Sequence, residues 1–102
     1  MIRHVVMFRF LNGEQGAEKA KNLKKIKELL ETLPSKIKEI KYYEVGIGKQ
    51  MTPSSCDLCL ISSFKNWADL DVYRNHPEHK KALEFINSFE KEAFASDYEY
   101  IE

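Results

Sequence analysis

The sequence predicts an α+β fold, with one four-stranded antiparallel sheet and its helices packed on a single face. Three observations carry that prediction. Strand-like alternation opens the chain, recurs in its middle and closes it; two stretches of helical periodicity separate those strands; and Gly and Pro fall between the patterned segments.

Ile2 to Phe10 is rich in β-branched and aromatic residues, with Ile2, His4, Val6, Phe8 and Phe10 on one face by period two. Asn12-Gly13 and Gly16 mark a loop. From Ala17 to Leu33 the apolar residues fall at 17, 20, 23, 26, 29, 30 and 33, the three-and-four spacing of an amphipathic helix that Pro34 ends. Ile40 to Ile47 reads as a second strand closed by Gly46 and Gly48, and Cys56 to Phe64 as a third. Asn66 is placed to cap a short helix carrying Trp67, Leu70 and Tyr73, and Pro77 suits the first turn of the next. That helix is expected to run to about Phe94, with Ala82, Phe85, Ile86, Phe89 and Ala93 as its buried stripe. Asp97 to Ile101 is the last, short strand.

The resulting order is βαββαβ with the second crossover split into two helices. Right-handed crossovers place both helical layers on one sheet face, a ferredoxin-like sandwich formed by a single domain over residues 1–102. The strands nevertheless carry apolar residues on both faces, Val5, Met7, Tyr43, Val45, Cys59 and Ile61 or their alternates among them, although the helices cover only one. An apolar sheet face of that size calls for a partner, and two copies closing face to face around a twofold axis supply one. A homodimer through the sheet faces is therefore expected.

At 102 residues the chain buries about 65% of the surface its unfolded form exposes, enough for a core without disulfide or metal staples. Sixteen basic and sixteen acidic side chains cancel, which argues against nucleic acid or an anionic membrane as partner. The lysines at 19, 21, 24, 25 and 27 alternate with Leu23 and Ile26 and read as a solvated helix face with Lys24–Glu28 and Lys27–Glu31 pairs. No apolar leader and no membrane-length stretch is present, so a cytoplasmic location is expected.

Cys56 and Cys59 form a C-x-x-C upstream of His76 and His79. Only two residues separate the histidines, and the cysteines fall on opposite faces of a strand, so neither a metal nor a redox cofactor is expected. His4 lies within the first strand. His76 precedes Pro77 at the helix junction, and His79 falls one turn into the helix, where the positive dipole end favours neutral imidazole. A neutral imidazole there suits a base, and Tyr73, at the end of the short helix, can reach the same cavity.

The opening Arg3-His4-Val5-Val6-Met7-Phe8-Arg9-Phe10, together with Val45-Gly46, Tyr73-x-x-His76-Pro77-x-His79 and Asp97-Tyr98, resembles the stress-responsive dimeric α/β-barrel (Dabb) domain family over essentially the whole chain. The resemblance implies a pocket between sheet and helices for a small apolar or aromatic metabolite. Relatives such as the plant polyketide cyclases, olivetolic acid cyclase among them, perform a cofactor-free aldol cyclisation. By that likeness His79 and Tyr73 are the candidate catalytic residues, and His4, Asp97 and His76 the candidate substrate-binding residues. The cyclases carry a first-helix tyrosine where this chain has Lys24-Lys25-Ile26-Lys27. Three functions fit these residues: a small-molecule binding protein, a cofactor-independent enzyme (cyclase, isomerase or oxygenase) using His79 and Tyr73, or a purely structural dimerisation module.

Overall fold

A computed structural model describes residues 1–11 and 16–102, and the loop expected at Asn12-Gly13 lies outside them. Strand β1 (Ile2–Phe10) leads to helix α1 (Gly16–Glu31), a short 3-10 turn (Leu33–Ser35), strands β2 (Tyr42–Ile47) and β3 (Leu58–Phe64), helices α2 (Trp67–Asn75) and α3 (Pro77–Asn87), and strand β4 (Lys91–Glu99). The sheet order is β2-β3-β1-β4 and every neighbouring pair is antiparallel. This is the expected ferredoxin-like plan, with β1 and β3 in the centre.

Period two sorts the strands as the sequence implies. Ile2, His4, Phe8 and Phe10 of β1 and Leu58, Leu60, Ser62 and Phe64 of β3 are buried on the inner face. Against them pack Leu23, Ile26 and Leu30 of α1, Leu33 and Ile37 beyond it, and Leu70, Ala82 and Ile86 of α2 and α3. The 3-10 turn containing Pro34 ends α1 near the expected place. Of the two lysine pairs expected on α1, Lys27–Glu31 is present at 3.8 Å, and Lys27 Nζ also donates to the Val45 carbonyl at 2.8 Å.

The structure corrects two expectations and settles one that alternation left open. Helix α3 stops at Asn87 rather than Phe94, and residues 91–99 form a nine-residue strand. The reason is tertiary: β1 offers a free edge along its whole length, and Lys91 to Glu99 pair with it from Phe10 to Ile2. That long run of interstrand hydrogen bonds outweighs the helix preference of Lys91, Glu92, Ala93 and Ala95. Phe89, in the turn, still packs edge-on against Phe10 at 5.8 Å between ring centroids.

Second, Tyr43 and Val45 face inward, so β2 presents Tyr42 and Glu44 on the outer face. Third, Cys56 precedes β3 instead of lying in it. The segment before β3 is pinned by buried Asp57. Its carboxylate accepts from the Phe10 N–H at 2.8 Å and pairs with Lys19 at 2.7 Å. Gly48 passes so close that a Cβ there would stand 2.3 Å from the Cys56 carbonyl oxygen, which accounts for glycine at that position.

Candidate functional site

The junction between α2 and α3 builds the site. Asn66 caps α2, its side-chain oxygen accepting from the Asp69 N–H at 2.8 Å. Pro77 excludes the helical conformation at His76, which takes φ −67° and ψ 136°. The His76 Nδ1 then accepts from the Glu78 N–H at 3.1 Å and caps α3. The chain breaks direction there, and α3 sets His79 against the ring of Tyr73, with centroids 4.3 Å apart.

Between the inner sheet face and the helices lies a cavity of about 310 Å³, at the small end of ligand pockets. Val6, Phe8, Leu30, Leu60, Leu83 and Ile86 form its apolar wall. His4, Tyr73 and His79 gather at one end, and Arg74, Asn87 and Lys91 also line it. Tyr73 is fully buried and central, its ring 6.0 Å from His4, 5.1 Å from Phe64 and 6.2 Å from Tyr43 between centroids. Of the five expected site residues, His4, Tyr73 and His79 line this cavity. Asp97 stands behind His4, and His76 is occupied in capping α3.

The two imidazoles are held differently. His79 Nδ1 lies 3.1 Å from the Arg74 carbonyl, which only accepts, so Nδ1 carries the hydrogen and Nε2 keeps its lone pair. Burial lowers the His79 pKa; the Arg74 carbonyl opposes this, and nearby His4, Arg74 and His76 add to it. The sequence led to the same neutral imidazole through the helix dipole, whereas burial is the larger cause. His4 Nδ1 pairs with Asp97, which register places directly opposite it on β4. The other Asp97 oxygen accepts from Arg74 at 2.5 Å. Asp97 therefore orients His4 and not His79.

The Tyr73 and Tyr43 hydroxyls are 2.8 Å apart. Burial pushes the Tyr73 pKa up to about 12 and raises that of Tyr43 further, so both stay protonated at neutral pH. Either hydroxyl can be the donor of this bond. Tyr43, Asn87 and Lys91 were missed in the sequence. Alternation alone left the face of Tyr43 open, and a long α3 put Lys91 on a helix.

Cys56 and Cys59 are free thiols, and among the described residues no three His, Cys, Asp or Glu side chains are grouped to hold a metal ion. No helix of the described residues is long and apolar enough to cross a membrane.

The fold and the cavity define a class: a ferredoxin-like α+β domain with a ligand-sized pocket between its sheet and its helices. Residues 2–100 match the model of the Stress responsive A/B Barrel Domain, Dabb, and the chain belongs to that family. Among solved structures it is similar to a dimeric protein of unknown function with a ferredoxin-like fold from Bacteroides fragilis, at 32% identity and TM-score 0.85, covering 97% of this chain and 95% of that one. A Dabb family protein from Mesorhizobium loti shares the fold at 21% identity and TM-score 0.71, with 99% and 97% covered. So does a hydroxynitrile lyase from Passiflora edulis, at 16% identity and TM-score 0.75, with 95% and 90% covered. No curated protein matches the chain.

Proposed function

We propose that the cavity binds a small, mostly apolar or aromatic carbonyl compound, and that His79 and Tyr73 move a proton at it without a cofactor. One observation carries this reading: an imidazole with its Nε2 lone pair unprotonated and a fully buried tyrosine stand together at the polar end of an apolar cavity. A purely structural module has no need of an open cavity there. His79 Nε2 removes a proton from the carbon beside the carbonyl, and the Tyr73 hydroxyl donates a hydrogen bond to the enolate oxygen as its charge develops. The imidazolium then returns the proton to carbon. His4, fixed by Asp97, supplies a second polar contact to the bound molecule. The fold's use in a hydroxynitrile lyase supports an enzymatic role over binding alone.

The working unit in this reading is a homodimer, which the dimeric relative from Bacteroides fragilis supports, and the exposed Met7, Phe94 and Tyr98 favour closure through the outer sheet faces. The free thiols of Cys56 and Cys59 fit a reducing, cytoplasmic setting.

The test is exchange of the acetyl methyl protons of para-butylacetophenone in heavy water, followed by proton NMR. The protein is expected to accelerate exchange over buffer, and His79→Ala to lose about a hundredfold of that acceleration. Tyr73→Phe should lose less. A folded His79→Ala variant that exchanges as fast as the parent would rule out the proposed base.

A further inference from the structure

The cavity has a second polar end, and among the described residues no carboxylate matches its charge. Lys91 opens β4 and sits opposite Phe10 in the β1–β4 register, so its side chain lies on the inner face. Its ammonium nitrogen is 6.0 Å from the centroid of the Phe8 ring, and the side chain lines the cavity. It donates to the side-chain oxygen of Asn87 at 2.9 Å, a neutral acceptor. Among the described residues no carboxylate pairs with it. The other cation on the lining, Arg74, is matched by both Asp71 and Asp97.

The bland account of Lys91 is that it answers the negative end of α3, which closes at Asn87. A helix end carries about half an elementary negative charge against the full positive charge of the ammonium. Among the described residues a positive excess remains at the solvent-accessible rim of the apolar wall, where a ligand anion gains a charge-assisted hydrogen bond.

The two ends are also set apart. His79 and Asn87 are separated by about 12 Å of helix axis, and His4 and Phe8 by about 13 Å of strand. Two elements that face each other across the cavity thus give the same spacing between the imidazole end and the ammonium end. Between the ends lie Val6, Leu30, Leu83 and Ile86.

Building on the ligand reading above, we infer that the natural ligand is a carboxylate-bearing carbonyl compound. Its carbonyl lies at His79 and Tyr73, its apolar body along Val6, Phe8 and Ile86, and its acid group on Lys91 and the amide of Asn87. The cavity would then select oxo acids with an apolar spacer over neutral ketones of equal size.

Binding of para-acetyl-phenylbutanoate and of its primary amide, measured by titration calorimetry on the parent protein, on Lys91→Met and on Lys91→Arg, tests this. The parent should bind the acid about tenfold more tightly than the amide, the increment of one charge-assisted hydrogen bond. Lys91→Met should bind the two alike, at the parent's affinity for the amide, and Lys91→Arg should keep the preference. Equal binding of acid and amide by the parent, or a preference that survives in Lys91→Met, overturns the anion site while leaving the ligand reading intact. Failure of the parent to bind either compound overturns both.

Discussion

The two faces of the sheet differ in what covers them, although the same strands build both. On the inner face of β1, Ile2, Phe8 and Phe10 are between 3% and 8% exposed beneath α1 and α3. On the outer face Met7 is 40% exposed, and Phe94 and Tyr98 on neighbouring β4 are 51% and 44% exposed. The inner face is completed by the chain itself, apart from the cavity it leaves around His4, Tyr73 and His79. The outer face is an apolar surface of a protomer. The lesson is that apolar patterning marks a face for burial without saying what will bury it.

Substitutions on the two faces should therefore fail in different ways. The largest effect is expected inside: Ile86→Ala empties a fully buried position and should cost about 2–5 kcal/mol in urea unfolding. Outside, Met7→Lys with Phe94→Lys should leave the circular dichroism spectrum intact while sedimentation moves from a dimer to a protomer. A parent protein that already sediments as a stable monomer, or a double variant that remains dimeric, breaks the comparison.

A smaller effect should appear in the pH dependence of stability. His79 has a folded-state pKa lowered by burial, so the unfolded chain binds a proton more readily. The neutral imidazole's stabilisation is fully present above the ordinary histidine value near 6.5 and is lost as pH falls from there through the lowered folded value. His79→Gln should flatten that part of the curve in thermal melts, while an unchanged slope would place the titration elsewhere.

Much of this was legible in the sequence because local and tertiary preferences agree. The stripe at Leu23, Ile26 and Leu30 is both helical and core-facing. Asn66 and Pro77 announce the starts of α2 and α3 by residue type alone. Legibility fails where a distant partner decides. Residues 91–94 have the composition of a helix end, and only the free edge of β1 makes them part of a strand. The site divides along the same line. Tyr73 and His79 share one local junction and could be read together. The Tyr43 contact and the Lys91 end of the cavity depend on β2 and β4 returning beside the core from far along the chain.

The proposed proton transfer requires His79 to present an unprotonated Nε2 to the cavity at neutral pH. Nitrogen-15 NMR of the histidine side chains, with His79 assigned by comparison with His79→Gln, measures this directly. The expected result is a neutral ring protonated on Nδ1 that takes up its second proton only below the ordinary histidine range. A ring protonated on Nε2, or one already an imidazolium at neutral pH, would contradict the account.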